Sequence, residues 1–154
     1  MARVAVGGTF DPIHDGHIAL LRRAFELGKG GEIVIGITSD EMARSTRTRP
    51  VRNFQLRLRN LKRALKKELG VEDFQVIEIN DQCGPSIYED FDYIVVSCDT
   101  LPMAQKINRL REKSRLKPMK ISIIEYQMAQ DQIRISSTRI TDGKIDRHGK
   151  VLFH

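Results

Sequence analysis

The chain has no tryptophan, two cysteines and only 6% aromatic residues, and each shortage removes a class of explanation. Cys83 and Cys98 lack Cys-x-x-Cys spacing and a neighbouring histidine, so a zinc site is not indicated. In a reducing compartment both are expected to be ordinary buried thiols; their spacing leaves open whether they pair. No Phe/Tyr cluster interleaves with the basic residues, which leaves a stacking platform for single-stranded nucleic acid with little support. No apolar run approaches the roughly 20 residues that span a bilayer. Met1-Ala2-Arg3-Val4-Ala5-Val6 gives way to glycines before a signal-peptide core can form. A cytoplasmic protein with no membrane partner is expected. Gly-x-Gly-x-x-Gly and Gly-Lys-Ser/Thr are also missing, excluding the dinucleotide fingerprint and the P-loop.

What is present fits one domain over residues 1–154, a length that buries a sizeable core unaided. Twenty-six Lys and Arg against twenty Asp and Glu give a charge of +6, which favours an anionic partner. Apolar runs at Val4–Val6, Glu32–Ile37, Phe74–Ile79, Tyr93–Ser97 and Lys120–Ile124 read as strands. Between them lie helical patterns. Ile18, Leu21 and Phe25 form one, stopped by Gly28, and Ser39 or Asp40 caps a brief second. Phe54, Leu58, Leu61, Leu65 and Leu69 form a third, closed by Gly70, while Met103, Ile107 and Leu110 mark a fourth, and a short helix is expected from Ser136. Strands alternating with helices predict an α/β fold, a doubly wound five-stranded parallel sheet. Ligands of such sheets bind beyond the carboxyl ends of the strands.

The loop Gly7-Gly8-Thr9-Phe10-Asp11-Pro12-Ile13-His14-Asp15-Gly16-His17 sits at such an end. Gly7 and Gly8 let the backbone approach a ligand, and Gly16 leaves room beside the helix start. The helix amides favour phosphate. His14 and His17, three residues apart at one turn, can face the same anion. Downstream, Ser136, Ser137 and Thr138 can form a phosphate nest, with Arg139 as counter-charge; alone, such a run is an ordinary helix cap.

Together these two segments resemble the His-x-Gly-His and Ile-Ser-Ser-Thr motifs of the nucleotidyltransferase superfamily. The resemblance narrows to the archaeal and eukaryotic type of phosphopantetheine adenylyltransferase, carried also by Gly36-Ile37-Thr38-Ser39-Asp40-Glu41, Val51-Arg52, Gly84-Pro85-Ser86, Ile94-Val95-Val96-Ser97 and Lys106-Ile107-Asn108-x-x-Arg111. It implies a Rossmann-like nucleotidyltransferase fold. It also implies adenylyl transfer from ATP to 4′-phosphopantetheine, releasing pyrophosphate and forming dephospho-coenzyme A, by in-line attack without an enzyme nucleophile.

The implied catalytic groups are His17, His14 and Thr9. The implied ATP contacts are Gly7, Gly8, Thr9, Phe10, His14, Gly16, His17, Arg111, Ser136, Ser137, Thr138 and Arg139. Acceptor-phosphate candidates are Thr9 and the basic run Arg44, Arg47, Arg49 and Arg52, undivided at this point. Mg²⁺ is expected to come with ATP; no acidic cage is predicted, and Asp11 is either an outer-shell helper or a loop-holding side chain. Arg57, Arg59, Lys62, Arg63, Lys66 and Lys67 are expected on the solvated face of the third helix.

Two rival readings remain: another phosphorylated acceptor (nicotinamide mononucleotide, flavin mononucleotide or glycerol 3-phosphate), or a basic nucleic-acid-binding module. The second leaves both motifs unexplained, so no nucleic-acid partner is expected.

Overall fold

The computed structural model describes residues 1–82, 84–87 and 89–153. Its five strands, β1 (Arg3–Gly8), β2 (Glu32–Thr38), β3 (Gln75–Ile79), β4 (Tyr93–Val96) and β5 (Lys120–Ile123), pair in parallel in the order β3-β2-β1-β4-β5. The helices are α1 (Asp15–Leu27), α2 (Asp40–Ser45), α3 (Phe54–Leu69), α4 (Leu101–Lys113) and, after the last strand, α5 (Ser137–Thr141), with a 3-10 turn at Gly84–Ile87. This is the α/β sheet expected from the alternation of patterns.

Register explains the cores on the two faces of the sheet. Val4 pairs with Ile33 and Val6 with Ile35, so these side chains share a face. Leu21 and Ala24 of α1 and Leu61 and Leu65 of α3 close over that face. On the other face Val34 and Phe91 pack with Ile107 of α4 and with Met119. Strands covered on both sides read as continuous apolar runs, which is why β2 shows no alternation in sequence. Gly70 ends α3 at φ 65°, a left-handed position that suits glycine.

Strand order reverses beside β1, since β2 and β3 extend one way and β4 and β5 the other. The carboxyl ends of β1 and β4 therefore flank the crevice where such sheets bind ligands. On the α4 side, Gly7 and Gly36 lie opposite each other in register. A Cβ at Gly36 would stand 2.2 Å from Ile79 Cδ1, so glycine here lets Ile79 fold over the strands. Cys83 lies outside the described residues. Cys98 is exposed, not the buried thiol expected, because it falls in the turn beyond the end of β4 rather than in a strand.

Candidate active site

Local chemistry builds the loop after β1 before any ligand is considered. His14 is the N-cap of α1: its Nδ1 accepts from the Gly16 amide at 3.0 Å, and His17 Nδ1 accepts from the His14 amide at 3.2 Å. The two rings stack with centroids 3.8 Å apart. With both Nδ1 atoms accepting, the ring proton of each neutral imidazole sits on Nε2, a tautomer assigned from the hydrogen bonds. Burial, reinforced by Arg134, pushes His14 down to about 4 despite the opposing pull of Asp15. His17 is pulled well below its ordinary value by burial, then by His14, Arg49 and Arg47. Both are therefore neutral N–H donors near neutral pH.

Two glycines of this loop answer to aromatic rings. A Cβ on Gly16 would lie 2.8 Å from the His14 ring, and one on Gly8 would lie 3.2 Å from the Phe10 ring. Gly16 thus makes room for His14 itself. Phe10, at φ 53°, buries its ring in the core.

Arg57 is fully buried, contrary to the solvated face expected. It donates to the carbonyls of Arg52 and Thr9, to Thr38 Oγ1 at 3.2 Å and to Asp40 at 2.9 Å. The reason is periodicity: Arg57 lies one and two turns before Leu61 and Leu65, on the stripe that faces the sheet. Arg59, Lys62, Arg63, Lys66 and Lys67 are exposed as expected. Thr9 and Thr38 join through their hydroxyls at 2.9 Å. Asp11 is buried and accepts from both the amide and the guanidinium of Arg52, at 2.7 and 2.6 Å, which makes it a loop-holding side chain.

Two adjoining cavities open here. The smaller, about 340 Å³, is lined by His14, His17, Arg47, Arg49, Arg134 and residues 136–138, among others. The larger, about 580 Å³, is walled mainly by apolar strand residues and by Met103 and Ile107 of α4. Gly7, Gly8, Thr9, Arg47, Asp99 and Thr100 line both. Ser136 caps α5 by accepting from the Arg139 amide, and Ser137 Oγ donates to the Pro12 carbonyl at 2.8 Å. The late serine turn is thus tied directly to the histidine loop, from 125 residues away in sequence.

Not every expected residue is here. Gly7, Gly8, Thr9, Phe10, His14, Gly16, His17, Arg47, Arg49, Ser136, Ser137 and Thr138 gather at the smaller cavity. Arg44 is exposed, donates to the Val51 carbonyl and lines neither cavity. Arg52 is held by Asp11. Arg139 donates to the carbonyls of Ile133 and Arg134 and to Asp131, away from the cavity. Arg111 is fully buried, donating to the carbonyls of Ser86, Glu89 and Lys117; like Arg57 it occupies the inward stripe of its helix, with Ala104 and Ile107.

Sequence reasoning missed Thr38, Arg57, Arg134, Asp99 and Tyr126. Arg57 carried a signal, an arginine in an apolar stripe. Arg134, paired with Asp99 at 2.5 Å and stacked 4.6 Å over Tyr126, carried none. Arg49 Nε, like Arg111 Nη2, is buried with no hydrogen-bond partner among the described residues; of the two arginines only Arg49 lines the smaller cavity. Arg47 is pulled below its ordinary value by burial and by Arg49 and Arg57. Among the described residues no three His, Cys, Asp or Glu side chains form a metal-ligating group.

Comparison with known proteins agrees with this geometry. Residues 5–143 match the family described as cytidylyltransferase-like. A phosphopantetheine adenylyltransferase of Methanosarcina mazei is 50% identical over 98% of this chain and 97% of its own, and one of Archaeoglobus fulgidus is 43% identical over 97% and 99%. A crystal structure from Archaeoglobus fulgidus, described as a protein with unknown function, superposes with a TM-score of 0.73 at 41% identity, covering 81% of this chain and 99% of that one. The chain belongs to the cytidylyltransferase-like family and, within it, to the phosphopantetheine adenylyltransferases.

Proposed function

We propose that the protein transfers the adenylyl group of ATP to 4′-phosphopantetheine, forming dephospho-coenzyme A and pyrophosphate. The names of the relatives support this reading, and one observation carries it in the structure: two cavities meet at Gly7-Gly8-Thr9 and Arg47. The smaller, with its N–H donors and cations, suits a nucleoside triphosphate. The larger, apolar over most of its walls, suits a long pantetheine arm, and their junction is where the two sets of phosphates would meet.

The acceptor phosphate is already anionic, so no base has to create a nucleophile. The barrier lies in bringing two anions together and in the charge that grows on the α-phosphoryl oxygens. Neutral His14 and His17 supply Nε2–H donors without requiring protonation. Thr9 and Arg47 stand at the junction, with Arg49 and Arg134 on the nucleotide side. Of the four arginines after β2, Arg47 and Arg49 are therefore the phosphate-binding pair, while Arg44 and Arg52 hold the backbone and Asp11.

Asp11 is engaged by Arg52, so Mg²⁺ would be held by ATP oxygens rather than by a protein cage. Bound there, it would neutralise the departing pyrophosphate.

The reading is tested by incubating the protein with ATP, Mg²⁺ and 4′-phosphopantetheine, following dephospho-coenzyme A by mass and pyrophosphate by release assay. Turnover with this acceptor, and not with nicotinamide mononucleotide, flavin mononucleotide or glycerol 3-phosphate, is expected. A higher rate with one of those acceptors, or with CTP, would overturn it.

A further inference from the structure

Thr9 stands at the junction of the two cavities, and its hydroxyl has one proton to give. Which way that proton points decides whether Thr9 offers a donor or a lone pair to a bound phosphate. We propose that Thr38, held by Arg57, is a positioning residue that turns the Thr9 hydroxyl proton toward the reacting phosphates. This rests on the adenylyl-transfer reading above.

A guanidinium only donates. Arg57 Nη1 gives one proton to Thr38 Oγ1 and contacts the Thr9 carbonyl, both at 3.2 Å, while Arg57 Nη2 is fixed by Asp40 and Nε by the Arg52 carbonyl. Arg57 has no acceptor to offer in any orientation, and it is fully buried. Thr38 Oγ1, having accepted from Arg57, lies 2.9 Å from Thr9 Oγ1 and is strengthened as a donor toward it, as successive hydrogen bonds polarise one another. Thr9 then accepts from Thr38 and keeps its own proton for the cavity. The reverse order would aim Thr9 lone pairs at an anion. A cation at one end of the chain and phosphate at the other both favour the direction Arg57 to Thr38 to Thr9 to phosphate.

Both threonines are buried, and Thr38 ends β2 just before the cap of α2. Valine keeps the shape and strand preference of threonine, so Thr38→Val removes the hydroxyl with little disturbance of the backbone.

The test is initial-rate kinetics on wild type, Thr38→Val, Thr38→Ser, Thr9→Val and the Thr9→Val/Thr38→Val double variant, with each substrate varied in turn. Thr38→Val is expected to lower kcat about tenfold, the scale of one hydrogen bond, with both KM values unchanged. Thr38→Ser restores kcat. Thr9→Val, losing the donor itself, falls further, and the double variant falls no further than Thr9→Val. Three results overturn the relay: an unimpaired Thr38→Val, a double variant whose loss is the product of the single losses, or a raised acceptor KM at unchanged kcat, which would mean that Thr38 touches the acceptor directly. A wild type that forms no dephospho-coenzyme A instead overturns the adenylyl-transfer reading and the relay with it.

Discussion

Two imidazoles 3.8 Å apart can serve one anion together because neither needs to be charged. Their neutrality has a cost on the acid side. His14 titrates near 4 in the folded chain and His17 well below its ordinary 6.5, whereas in the unfolded chain both titrate near 6.5. Between those values the unfolded state binds more protons, so stability rises with pH through the window and is complete above about 6.5. Each histidine adds to the loss as pH falls through this window. A series of thermal melts is expected to be level from pH 7 to 8 and to fall progressively below 6.5; a Tm holding steady down to pH 4.5 contradicts the buried, neutral pair. Gly16 tests the same pair sterically. The Cβ added by Gly16→Ala would meet the His14 ring at 2.8 Å, so the ring must swing from its stack. A folded enzyme with turnover reduced about tenfold or more is expected, on the principle that misplacing a reacting group by a fraction of its contact distance is costly; wild-type kcat in Gly16→Ala would remove His14 from the machinery.

Elements matter here for what their inward stripes carry. Leu61 and Leu65 of α3 are fully buried against Val4, Val6 and the odd-numbered isoleucines of β2, so α3 both closes a core and delivers Arg57 to the site. Leu61→Ala should destabilise by about 2–5 kcal/mol, read as a lower denaturant midpoint. A loss under 1 kcal/mol would show that α3 is not anchored as described. The stripe of α3 was legible in sequence because its apolar spacing and closing glycine agree, and β2 because a strand covered on both faces is a continuous run. The candidate site was legible where chemistry is local: the histidine loop and the serine turn each announce themselves within a few residues, and the structure brings the two together. It was illegible where the third dimension decides. Arg57 and Arg111 looked like ordinary helix charges, and only a sheet beneath the stripe converts them into buried clamps on distant carbonyls. Arg139 and Arg134 are five residues apart, yet Asp131 and two carbonyls hold the first away from the cavity while Asp99 holds the second beside it. No spacing rule distinguishes them.

Across the whole molecule, the reversal of strand order beside β1 puts the joined cavities at the carboxyl ends of the strands, and two arginines divide the territory between them. Arg47 lines both cavities, whereas Arg49 lines only the smaller. Arg47 donates to the Ala43 carbonyl and the Thr46 hydroxyl and lies close enough to Arg49 and Arg57 for their charges to act on it. This clustering of like charge is unfavourable, is opposed in part by Asp11, and would be relieved by a bound anion. A cation serving two phosphates at a junction should be missed by both substrates, and one on the nucleotide side by ATP alone. Charge-assisted hydrogen bonds contribute about 1.5–3 kcal/mol, which sets the scale at roughly ten- to a hundredfold. Arg47→Ala is therefore expected to raise KM for both ATP and 4′-phosphopantetheine on that scale, and Arg49→Ala to raise it for ATP while leaving the acceptor value near wild type. Initial rates with each substrate varied against a saturating partner distinguish the two. If Arg47→Ala shifts one substrate only, the cavities do not share their phosphate site, and the acceptor phosphate has to be placed elsewhere along the crevice.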